Sequence, residues 1–109
     1  MTPEDRFDAL VAEVSHVDGV SRPAGGRRFG AQAVRRYGRI VAMLVDGCLV
    51  VKLPRARVDE LIAAGEGVRF DANRGRPMKE WFVLAADSPL AWSELTGEAL
   101  AHAAGQQPG

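Results

Sequence analysis

Cysteine is almost absent from this chain: Cys48 is the only one in 109 residues, so no disulfide framework can form, and a lone thiol suits a reducing compartment. The expected location is cytoplasmic. Histidine is nearly as scarce. His16 and His102 stand at opposite ends of the sequence, and with one cysteine they make no closely spaced ligand motif, so neither a metal nor a cofactor is expected. No apolar run approaches the roughly 18 residues of a membrane span, and no repeat or low-complexity tract is present. The opening MTPEDRFDAL is acidic rather than basic and apolar, so it does not read as a secretory signal. What remains is a single domain over 1–109, whose apolar fraction of 47% suffices for one core.

The densest apolar stretch runs from Arg39 to Leu53, RIVAMLVDGCLVVKL, with Asp46-Gly47 at its middle. Asp-Gly suits a type I′ turn, which needs positive φ at both central positions, so the stretch predicts a β-hairpin. Its two runs, Ile40 to Val45 and Cys48 to Leu53, are apolar at nearly every position, which predicts strands covered on both faces.

Thr2-Pro3-Glu4-Asp5 predicts a helix start, with Thr2 as cap, Pro3 in the first turn and acids at the positive end of the dipole. Phe7, Leu10, Val11 and Val14 then make one apolar stripe, ending near Asp18-Gly19. Ser21 to Arg28 reads as a connection, and Arg28 to Val34 as a strand leading through a Tyr37-Gly38 turn into the hairpin. A second helix is expected from Pro54 to Ala64, with Val58, Leu61 and Ile62 inward and Gly65 as a left-handed cap. Val68 to Phe70 suggests a short edge strand, and Lys79 to Ala85 a last strand with Phe82 and Leu84 opposite Trp81, Val83 and Ala85. Ser88-Pro89 repeats the cap-plus-proline pattern, opening a helix that carries Leu90, Leu95, Ala99 and Leu100 inward and closes at Gly105. The fold class is α+β: a mainly antiparallel sheet of four or five strands with a central hairpin meander, three helices, and the order α-β-β-β-α-(β)-β-α.

Zero net charge conceals a strong asymmetry. Nine cations between Ser21 and Arg57 face Asp46 alone, a balance of +8, and each flank is −4. Complementary elements can neutralise one another in the fold, or the segment can meet an anionic partner. Arg27, Arg28, Arg35, Arg36 and Arg39, interleaved with Phe29 and Tyr37, are therefore candidate nucleic-acid contacts. The GGRRFG run lacks the lysine and following Ser or Thr of a phosphate-binding loop and reads as a turn. Cys48, His16 and His102 suggest no nucleophile with an oriented base. The carboxylate pairs Glu4-Asp5 and Asp59-Glu60 fall on helices, where solvated charge explains them. No enzyme is expected. Lys52 and Glu80 each interrupt an apolar strand and must reach solvent or a partner; as neighbours they would pair across the sheet beside Trp81.

The Phe29-Gly30 step, the Ala42 to Leu53 hairpin ending in Lys52-Leu53, the Arg57 to Gly65 helix with its glycine cap, and Gly75 to Trp81, GRPMKEW, together resemble the amino-terminal domain of the TfoX/Sxy competence regulators, in the wider YjbR/MmcQ-like group. The resemblance covers about residues 28–102. It implies a compact α+β fold with no known activity, cofactor or catalytic residue. Gly30, Asp46, Gly47, Lys52, Leu53, Gly65, Gly75, Pro77 and Trp81 match as fold determinants. Family members that act as regulators carry a second, carboxy-terminal domain, for which this chain leaves no room, so it is expected to be a stand-alone member.

The expected function is accordingly a non-catalytic regulatory or protein-interaction domain. Its partner is a protein, self-association included if a sheet edge or the Trp92 side of the last helix stays exposed. Two alternatives are a nucleic-acid-associated regulator using the Arg27 to Arg39 segment, and a small-ligand binder or enzyme using Lys52, Glu80 and Trp81.

Overall fold

The computed structural model describes residues 2–21, 33–70, 78–85 and 88–106. Helix α1 (Pro3–Val14) starts as its sequence dictates, with Thr2 and Asp5 exchanging hydrogen bonds in a capping box and Pro3 in the first turn. It stops four residues before the expected Asp18-Gly19 boundary. Turns at Val14 to Val17 and Val17 to Val20 then lead into β1 (Val20–Ser21), a two-residue strand the apolar pattern is too short to announce.

Strands β2 (Ala33–Arg36), β3 (Arg39–Val45) and β4 (Cys48–Lys52) form the expected meander. Both turns have the type I′ sign pattern: φ is 53° and 82° at Tyr37 and Gly38, and 51° and 78° at Asp46 and Gly47. Positive φ is unusual at a tyrosine, and three contacts hold it. The Tyr37 amide donates to the Gly19 carbonyl at 2.8 Å, its hydroxyl donates to Asp18 at 3.2 Å, and its ring lies so close to Gly19 that a Cβ there would come within 2.5 Å. The expected Arg28 to Val34 strand runs two residues further, to Arg36, because the turn at Tyr37 fixes the register, pairing Arg36 with Arg39 and Ala33 with Met43; its expected first five residues, 28–32, lie outside the described residues.

Helix α2 (Arg55–Ala63) ends in a Schellman closure. The Glu66 amide reaches the Leu61 carbonyl and the Gly65 amide the Ile62 carbonyl, both at 3.0 Å, with Gly65 at φ 80°. β5 (Gly67–Phe70) and β6 (Met78–Leu84) complete an antiparallel six-stranded sheet in the order β1-β2-β3-β4-β6-β5. Helix α3 (Trp92–Gln106) begins later than Ser88-Pro89 suggests. Ser88 is taken instead by a tertiary contact: its hydroxyl donates to Glu66 at 2.7 Å and accepts from the Leu90 amide at 3.2 Å. The helix also continues one residue past Gly105.

All three helices pack on one face of the sheet. Phe7, Leu10, Val11 and Val14 of α1, Val58 and Leu61 of α2, and Leu95, Ala99, Leu100 and Ala103 of α3 meet Val34, Ala42, Leu44, Leu49, Val51, Leu53, Phe82 and Leu84 in one core. Along β4, the successive residues Leu49, Val50 and Val51 are all fully buried, so this strand is covered on both faces, as its unbroken apolar run predicts. On the face away from the helices, Met43, Val50, Val83 and Val68 stand in one cross-strand row. Trp92 belongs to the core, 8% exposed, with the Arg6 guanidinium 4.3 Å above its ring, so the last helix offers no exposed tryptophan side for association.

Candidate functional site

A bulge shapes the site. β3 carries one residue more than β2 between the pairs Val34↔Ala42 and Arg35↔Ile40, so Val41 has no partner on that side, and such bulges bend the strand locally. Here Arg39, Ile40 and Val41, with Lys52 from the end of β4, face Ala99, His102 and Ala103 of α3 across an open cleft of about 210 Å³, solvent at its mouth included.

Two arginines hold α3 in place above it. Arg36 donates from Nη1 to the Leu100 carbonyl at 2.8 Å and from Nε to the Asp18 carbonyl at 2.9 Å, and its guanidinium lies 5.2 Å from the Tyr37 ring centroid. It ties the first hairpin, the α1 exit and α3 together. Arg57 of α2 grips Glu98 of α3 with two parallel bonds of 2.8 and 3.1 Å and reaches Glu60 at 3.1 Å. The Glu98 bonds, then those to Glu60, push the Arg57 pKa above its ordinary value against a smaller opposing effect of burial. More than a third of each side chain is exposed, at 37% for Arg57 and 39% for Glu98, so solvent screens the pair. Arg57→Met is accordingly expected to lower unfolding free energy by less than about 1 kcal/mol in urea denaturation. A loss above about 2 kcal/mol would mean that the pair behaves as a buried one.

The structure separates the residues the sequence grouped. Arg27 and Arg28 lie outside the described residues. Arg35 and Arg39 are exposed, but Arg36 is consumed by structural bonds, so the described part of the basic segment is not a uniform phosphate-binding stripe. β4 and β6 do neighbour each other, yet the expected Lys52–Glu80 pair is absent. Lys52 stands opposite Trp81 in the ladder, and the pleat turns Glu80, one residue earlier, to the other face. Lys52 and Arg39, drawn from two separate candidate groups, instead line the same cleft.

His102 is the residue sequence reasoning passed over, finding neither a ligand motif nor an oriented base at it. Its Nε2 is buried with no hydrogen-bond partner among the described residues. The available signal was its place beside Ala99 and Ala103 on the small-residue stripe of α3. Cys48 is half-buried and His16 exposed, and neither reaches the cleft. Among the described residues no three His, Cys, Asp or Glu side chains gather as a metal group would require, and no helix is long and apolar enough to cross a membrane.

A second feature lies at the far edge of the sheet. β5 has β6 on one side and no strand on the other among the described residues, and Val68 on it is 60% exposed. The one other exposed large apolar side chain among the described residues, Tyr37, is already held by Arg36 and Asp18. Comparison with protein-family models, curated proteins and solved structures returns no match to this chain.

Proposed function

We propose that the protein is a non-catalytic regulatory domain of the TfoX amino-terminal type, acting in the cytoplasm by binding protein through the edge strand β5, with a second copy of itself as the partner. The exposed Val68 on this outermost strand carries the reading. An edge strand presents a row of unpaired amides and carbonyls, and proteins usually blunt it with proline or an outward charge. The charge on β5 is spent otherwise, since Arg69 pairs with Asp59 of α2. Pairing β5 with its symmetry mate would extend the sheet across a two-fold axis and bury Val68 against its counterpart. The motifs shared with the TfoX group support the type.

Light scattering over a wide concentration range tests this. The native chain is expected to pass from monomer to dimer, and Val68→Lys to stay monomeric with an unchanged thermal midpoint. A native chain that remains monomeric throughout, or a Val68→Lys variant that dimerises equally well, would sink the proposal.

A further inference from the structure

The face of the sheet turned away from the helices carries positive charge and no negative charge of its own. Leu49 and Val51 of β4 enter the helix-side core, so the pleat turns Val50 and Lys52 to the opposite face. The register carries that face across the sheet: Met43 and Val83 flank Val50, and Trp81 stands opposite Lys52. On β2, Val34 enters the core, and Arg35 alternates away from it. Arg35, Lys52 and Trp81 therefore fall at one level of the sheet, on β2, β4 and β6, beside the aliphatic row of Met43, Val50 and Val83. Val50 is closed off at the centre, whereas Met43, Lys52, Trp81 and Val83 are half-buried and Arg35 is exposed. Glu80 is the one acidic residue in the described strands, and it alternates to the helix side. Neither Arg35 nor Lys52 enters an ion pair among the described residues.

We propose that this face binds single-stranded nucleic acid, with Trp81 as the stacking surface for a base, Arg35 and Lys52 as phosphate contacts, and Met43 and Val83 as an apolar floor beside them. The lining sets the partner's chemistry. Two cations with no carboxylate on their face attract an anion, and an indole ring beside aliphatic side chains accepts the flat face of a base. An unpaired strand exposes those base faces, whereas a duplex keeps them stacked. Arg35 and Trp81 lie three strand spacings apart, about 14 Å at roughly 4.8 Å each, a span that a few nucleotides cover. An acidic protein segment would use the two cations and leave the ring without a role. The inference is independent of association through β5, because none of these residues lies on that strand. Val68→Lys should therefore still bind nucleic acid as a monomer.

The probe is a fluorescein-labelled oligothymidylate of roughly fifteen nucleotides, titrated with the whole chain at low salt and read by fluorescence anisotropy. A dissociation constant of roughly micromolar order is expected. Affinity should fall with salt at a log–log slope of about −1.4, from two phosphate contacts at roughly −0.7 each. Arg35→Gln, at an exposed position, should weaken binding several-fold and halve that slope. Trp81→Leu should weaken it about tenfold through the loss of one stacked base. Arg55→Gln, an exposed cation of α2 on the helix side, should change nothing. A duplex of the same length and polyglutamate, each at matched charge concentration, serve as unlabelled competitors, and failure of both to displace the probe supports the site. Displacement by either, no anisotropy change at low salt, or binding that survives unaltered in Arg35→Gln would overturn the proposal.

Discussion

Gly67→Ala is expected to cost about 3 kcal/mol of stability, because the added methyl group has nowhere to go. A Cβ at this position would lie 2.0 Å from the Val83 carbonyl oxygen and 2.6 and 3.0 Å from the Phe82 ring. The oxygen is main chain within the β6 strand, and the ring is fully buried, so neither can step aside without opening the β5–β6 ladder. Gly97 provides the control. It sits in α3, where an added methyl carbon would meet nothing within 4 Å, and alanine there should add about 0.5–1 kcal/mol through helix propensity. One substitution at two glycines should therefore shift urea midpoints in opposite directions. A Gly67→Ala variant within about 0.5 kcal/mol of native would show that β5 does not pack on β6 at this spacing. The same variant should also disturb association, since it displaces the strand that presents Val68.

How much of this was legible depends on the range of the interaction that decides it. The Asp46-Gly47 turn, the Thr2 capping box and the Gly65 helix stop are set by residues within five positions of one another, and the sequence displays them openly. The start of α3 was not legible. Ser88-Pro89 looks like a cap, but Glu66, 22 residues away, takes the serine hydroxyl. The end of β2 at Arg36 was hidden for a related reason: the Tyr37 turn that sets its register depends on Asp18 and Gly19, which approach only once the chain has folded.

The site shows the same division. In the sequence, β4 and β6 as neighbours stood only as the condition for a Lys52–Glu80 pair, and the phase between the two strands was not legible. Opposing Lys52 to Trp81 rather than to Glu80 is a one-residue difference that reverses every side chain, and no local pattern encodes it. Arg36 and Arg39 are alike in sequence and opposite in use. One is spent on the Leu100 and Asp18 carbonyls, while the other lines the cleft and enters no ion pair among the described residues. His102 gained its place from the packing of α3, which Arg36 and the Arg57–Glu98 bridge fix from outside the helix.

Phe82→Ala is expected to be the most damaging truncation in the sheet, at about 3–5 kcal/mol, the range for emptying a buried aromatic site. Phe82 is fully buried, stands between Val51 and Arg69 in the ladder, and rests its ring against Gly67. Its neighbour Trp81 is larger but half-buried, opposite Lys52 on the other face, so Trp81→Ala should cost distinctly less despite removing more atoms. That ordering tests the register directly: with β6 slipped by one residue, the tryptophan would occupy the core and the ranking would invert. At about 4–8 °C per kcal/mol for a domain of this size, the Phe82 variant should lose more than about 12 °C of thermal midpoint. Because the Phe82 ring lies directly against Gly67 of β5, its removal should loosen that strand before the rest of the sheet. Amide exchange at Gly67 to Phe70 should accelerate more than at Leu49 to Val51, and uniform acceleration would instead mean that β5 and β4 open as one unit.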